Sequence, residues 1–278
     1  MNLSTVTAAE IAALDRSQTI VFLPLGPAEQ HGPHLPIGTK VFIAEALAFE
    51  ASNYLKPAGL TCLTAPSLPF APCQVSFGIP GTFSLNARAF SDFLFEIGQS
   101  FQREGFQWFF LINHSVSLEC LKACETAVSD LNRLRDFHAF DPLPAIMFNR
   151  TPQIDQELKT LGCQPDREIH ADARETSAML YLDAELVDTE VLPQLPPHRP
   201  NLSFENLKGN FSYADMGAKN GYVGTPTAGN PEFGKLYIET AAAGLAESVR
   251  KALANQPLTQ LPLQIRMLLK LIDLDETL

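Results

Sequence analysis

Two short runs, TIVFLPL at 19–25 and WFFLIN at 108–113, are apolar almost throughout. A strand with one wet face alternates apolar and polar residues, so an unbroken run suits a strand covered on both faces, as in a parallel sheet. Longer segments with helical spacing lie between and beyond them. Val41–Leu55 is stopped by Pro57, and Ala87–Glu104 puts Phe90, Leu94, Ile97 and Phe101 on one face. Leu118–Leu134, Glu175–Leu182 and Gly234–Ala254 complete the helical set, and Glu175 suits the positive end of its helix. Leu60–Ala65 and Ala145–Phe148 read as two more strands. Strands alternating with helices predict an α/β fold, a three-layer α/β/α sandwich with a mostly parallel central sheet.

Charge narrows the partners. The chain has 20 Lys+Arg against 31 Asp+Glu, a net charge of −11, and its basic residues are scattered. With no basic face to displace counterions from phosphates, nucleic acid is not an expected partner. No stretch of about 18 apolar residues is present, so no membrane span is expected. The five cysteines are odd in number and form no C-x-x-C pair, which fits reduced thiols, and the first 18 residues lack a signal-peptide pattern. A cytoplasmic location follows as the expectation. Cys120 and Cys124 sit four apart on a predicted helix and read as two small buried hydrophobes. The tail 258–278 is too apolar to hang free and is expected to pack on the domain or on a neighbouring subunit.

Three polar clusters fall where a parallel sheet would place a ligand, outside the carboxyl ends of its strands. GPAEQHGPHLPIGTK follows the first strand, NHSVS at 113–117 follows WFFLI, and IHADARETS at 169–177 precedes a helix. Together they hold four of the six histidines. Glu29 and His31 are two apart, so in extended chain both face the same way, and a carboxylate with an imidazole suits zinc or manganese. His34 sits among prolines and reads as structural, while His138 and His198 have no motif around them. His114-Ser115 and Ser117 lack the G-x-S-x-G elbow of a serine hydrolase, and Ser117 serves as a helix N-cap.

These segments resemble the creatininase family of amidohydrolases. The resemblance rests on Leu25-Gly-Pro-Ala-Glu-Gln-His-Gly-Pro-His-Leu-Pro-Ile-Gly-Thr39 and Pro80-Gly-Thr-Phe-Ser-Leu85. It continues through His114, through His170-Ala171 with Glu175-Thr-Ser177, and through Gly221-x-x-Gly-x-Pro-Thr227 ahead of the Gly234 helix, all in family order. It implies one creatininase-like domain over 1–278, usually a homohexamer, acting on a small-molecule substrate. It makes Glu29, His31 and His114 metal ligands, His170 the histidine that carries a proton to the leaving nitrogen, and Glu175 a glutamate that orients the site or supplements the ligands.

The departures fall on the same site. Lys40 stands where the family has an aspartate bridging two metals, Val116 where creatininase itself has a carboxylate ligand, Ser76 where a histidine is usual, and Thr225 where an aspartate precedes the proline. A bridging carboxylate neutralises two divalent ions, whereas an ammonium repels both. The expectation is a non-peptide amide hydrolase holding at most one Zn or Mn ion, with Lys40 paired to Glu29 or Glu175. The alternatives are a catalytically impaired binding or scaffold protein of the same fold with no ion, and Lys40 as a catalytic amine. Loops 70–80, 150–168 and 196–220 should contact the substrate and carry no readable code for it.

Overall fold

The computed structural model describes residues 1–201 and 212–276. Four parallel strands form one sheet in the order β2-β1-β3-β4, namely β2 (Thr61–Thr64), β1 (Thr19–Leu25), β3 (Trp108–Asn113) and β4 (His138–Phe140). β1 pairs with β3 from Ile20 opposite Trp108 to Leu25 opposite Asn113. The helices in chain order are α1 (Ala8–Ala12), α2 (Thr39–Leu55), α3 (Ala87–Arg103), α4 (Leu118–Leu131), α5 (Leu143–Phe148) and α6 (Pro152–Thr160). They are followed by α7 (Ala173–Leu182), α8 (Pro231–Leu253) and α9 (Leu263–Leu269).

Side chains alternate across the sheet and so sort into two cores. Ile20, Phe22, Phe110 and Ile112 pack with Ile43 and Leu47 of α2, Met179 of α7, and Ile238 and Leu245 of α8. Val21, Leu23, Phe109 and Leu111 pack with Phe90 and Leu94 of α3 and with Cys124 and Leu131 of α4. This is the α/β/α sandwich expected from the unbroken apolar runs. All five cysteines are buried and free, in line with the reading of Cys120 and Cys124 as core residues.

One strand expectation fails. Ala145–Phe148 is the end of helix α5, and the fourth strand is His138–Phe140 instead. A four-residue apolar run does not distinguish strand from buried helix, and Pro144 in the first turn favours the helix. In the tail, Leu269 and Leu274 are buried, Leu274 in the α3/α4 core, and Arg88 holds Asp275 at 2.7 Å. Among the described residues, no helix is long and apolar enough to cross a membrane.

The parallel topology brings the carboxyl ends of β1 and β3 side by side. The His114 amide donates to the Leu25 carbonyl at 3.1 Å, so the loops carrying Glu29–His34 and His114 leave the sheet together. Gly26 ends β1 where a Cβ would stand 2.7 Å from the Cβ of Lys40. Its missing side chain lets the first turn of α2 close over the strand end and points Lys40 inward.

Candidate active site

Glu29, His31, Lys40, His114, His170 and Glu175 are buried together at this strand edge. The Lys40 ammonium contacts Glu29 Oε1, and Ser76 donates its hydroxyl to Glu29 Oε2. Lys40 lies in the first turn of α2, where the helix dipole disfavours a cation, so its carboxylate partner offsets both burial and dipole. Burial by itself would raise the Glu29 carboxyl; Lys40, His170 and His31 more than reverse this and hold it below its ordinary value. Burial likewise favours neutral Lys40, but Glu29, Glu175 and Tyr213 keep it protonated more firmly than a free lysine.

Two imidazoles each turn one nitrogen to a backbone carbonyl. His31 Nδ1 lies 3.0 Å from the Glu29 carbonyl and His170 Nε2 lies 2.8 Å from the Gln30 carbonyl. A carbonyl only accepts, so His31 Nδ1 carries a proton, whereas His170 Nε2 also faces the Gln30 side-chain amide nitrogen at 3.2 Å; the second ring nitrogens are His31 Nε2 and His170 Nδ1. Both atoms, and His114 Nδ1, are buried without a hydrogen bond. Among the described residues, Glu29, His31 and His170 offer ligand atoms that all lie within 4.8 Å of one another. A histidine ligand whose other nitrogen donates to a backbone carbonyl is the usual support of a metal site. Burial pushes His114 and His170 down to about 4, with Lys40 acting in the same direction and Glu175 against it, so both are neutral at pH 7.

His114 stands apart from that triad. Its Nε2 lies 3.1 Å from the Tyr237 hydroxyl, and its Nδ1 is 3.8 Å from Glu175 Oε1. Glu175 Oε2 accepts from the Ala171 amide at 2.6 Å and lies 3.5 Å from His31 Nε2. Ala171 holds φ at +46°, a strained setting for a residue with a side chain, and the strain lies between His170 and Glu175. Burial alone would raise Glu175, but His31, Lys40 and His170 hold it well below the carboxylate range.

A cavity of about 670 Å³ opens onto Lys40, His114 and Glu175. Glu29, His31 and His170 lie behind these three and do not line it. A larger hollow of about 1010 Å³ runs between the N-terminus and α2, away from all six residues. His34 Nε2 lies 2.9 Å from Thr176 Oγ1, outside the cluster of six. Ser117 occupies the N-cap of α4, though its hydroxyl turns to Glu119 at 2.6 Å rather than to the helix. Tyr213, stacked on His170 at 4.7 Å, and Tyr237 are site residues that no motif announced.

A family model described as creatinine amidohydrolase matches residues 4–249. The chain is 25% identical over 236 residues to a mycofactocin precursor peptide peptidase of Mycolicibacterium smegmatis, covering 84% of this chain and 85% of that one. It is 27% identical over 280 residues to a 3-dehydro-scyllo-inosose hydrolase of Thermotoga maritima, covering 93% and 85%. A solved structure described as manganese creatininase superposes with a TM-score of 0.72 at 22% identity, covering 91% of this chain and 98% of that one.

Proposed function

The chain belongs to the creatinine amidohydrolase family, and from that premise we propose that it hydrolyses a non-peptide amide C–N bond of a small molecule, using at most one divalent ion. The observation that carries this reading is the convergence of Glu29, His31 and His170 directly behind a cavity lined by Lys40, His114 and Glu175. One carboxylate and two imidazoles, each with a buried nitrogen that has no hydrogen-bond partner, suit one zinc or manganese ion. They do not suit two, because the Lys40 ammonium already sits against Glu29.

Glu29, His31 and His170 would hold the ion, which when bound supplies an acidified water and a polarised carbonyl. The resemblance assigns the histidines the other way, with His114 the ligand and His170 the proton carrier. The geometry supports the exchange, since His114 faces the cavity and its Nδ1 is free of hydrogen bonds. Glu175, ionised and on the cavity wall, takes a proton from the attacking water through Oε1. His114 Nδ1, 3.8 Å from that oxygen, relays the proton towards the leaving nitrogen. Lys40 keeps its proton throughout and donates to an oxygen that gains charge as the carbonyl is attacked.

The relatives named above include a peptidase and an inosose hydrolase, so hydrolysis is what their names share. A second reading has its own support, because Lys40 and Ser76 engage both oxygens of Glu29 and leave the carboxylate little freedom for an ion. In that case the fold serves as a small-molecule binding protein. The test is release of ammonia or amine from a panel of cyclic and linear amides by the zinc- or manganese-loaded protein. Turnover that falls by about 10²-fold in Glu175→Gln supports the hydrolase. An ion-bearing protein that cuts none of the panel, or whose turnover ignores Glu175→Gln, overturns it.

A further inference from the structure

The cavity has two unlike ends. Lys40, His114 and Glu175 form its polar floor. Its walls are Phe77, Val116, Met147, Phe148, Ile265 and Leu268, drawn from segments far apart in the chain. Two of these, Ile265 and Leu268, come from α9 in the C-terminal segment, which buries Leu269 against the protein yet leaves Leu268 43% exposed at the cavity. Val116 stands beside His114, where it presents an apolar surface to the floor.

The charged groups on these walls already have partners. Arg150 is held by Asp155 at 2.6 Å and by Asp166 at 2.8 Å, and Arg174 by Asp172 at 3.0 Å. Glu119 accepts from Ser117 at 2.6 Å, Asp215 from Ser212 at 2.8 Å, and Glu168 from Thr225 at 2.8 Å. A charged ligand arm would compete with these pairs, whereas an apolar arm removes exposed hydrocarbon from water with nothing to break. At about 670 Å³ the space is that of a drug-sized ligand rather than of a bare amide group.

We infer that the compound bound here carries an apolar group, an alkyl chain or an aromatic ring, attached to the amide held at Lys40 and Glu175, and that the C-terminal helix sets this preference. The inference rests on the hydrolase reading for the amide and on the walls for the apolar group. Straight-chain primary carboxamides from propanamide to heptanamide separate the two. Their Kd values, taken from NMR titrations of the full chain, should tighten about threefold to fourfold for each added methylene. Leu268→Asp and Phe77→Asp, both at partly exposed positions, should flatten that series. A Kd independent of chain length, or a series unaltered in both variants, overturns the inference. Ammonia measured in the same samples reports on the other claim. A steep series without ammonia keeps the apolar site and removes the hydrolase, and ammonia with a flat series does the reverse.

Discussion

The Lys40 ammonium and the Glu29 carboxylate are in direct contact inside the protein, 4% and 0% exposed, at the junction of α2 with the end of β1. A buried pair of this kind adds little over an apolar pair of the same shape, but losing one partner strands a charge. Lys40→Met should therefore cost about 3–5 kcal/mol in urea unfolding at pH 8. The double variant Lys40→Met with Glu29→Leu should regain most of that loss. A single variant as stable as wild type contradicts the pairing.

His170→Ala should abolish ion binding, and His114→Ala should keep it while losing turnover. Atomic absorption on each purified variant, with circular dichroism to confirm folding, checks this. Ion retained in His170→Ala and lost in His114→Ala restores the roles that the family resemblance implies.

Behind the His114 loop, Asp141 receives the Asn113 side-chain amide at 3.1 Å, while its Oδ1 is buried with no partner. Cys124 lies on the same Asn113 amide at 3.6 Å. Burial pushes the Asp141 carboxyl up to about 7, with the Asn113 bond opposing it. The folded state thus favours the protonated acid. Its contribution is complete below the ordinary value of 3.8 and is lost as pH rises through about 7. Stability should fall between pH 5 and pH 7 by up to about 1.4 kcal/mol per pH unit from this group. Asp141→Asn should flatten that slope and be the more stable protein at pH 8. Urea midpoints across the range decide it, and equal slopes in the two proteins contradict it.

A Cβ on Gly234 would stand 1.9 Å from the Ser177 carbonyl oxygen, because α8 crosses α7 at backbone contact. Helix propensity favours alanine, yet the clash dominates. Gly234→Ala should destabilise by about 1–3 kcal/mol, read as a lower Tm. A Tm at or above that of wild type contradicts the close approach.

Much of this arrangement is legible before folding. β1 and β3 are continuous apolar runs whose boundaries coincide with the observed strands, since no polar face interrupts them. His138–Phe140 has three residues, and its histidine stacks on Trp108 at 4.7 Å, so neither length nor pattern marks it as a strand. At the site, the spacing from Glu29 to Lys40 places a cation among ligand-type residues, but both Glu29 and Glu175 are sequence-compatible partners. The fold settles it on Glu29, with Lys40 packed closely over Gly26. Tyr213 stacks on His170, a residue 43 positions earlier, and no local pattern encodes that contact.

The central claim is that the Lys40 ammonium occupies the place of a second ion. The direct test is the metal content of the wild-type protein, loaded with excess zinc or manganese, freed of unbound ion and measured by inductively coupled plasma mass spectrometry beside Lys40→Asp. No more than about one equivalent per chain in wild type, rising in Lys40→Asp, is the predicted result. About two equivalents in wild type, with Lys40 intact, contradict it.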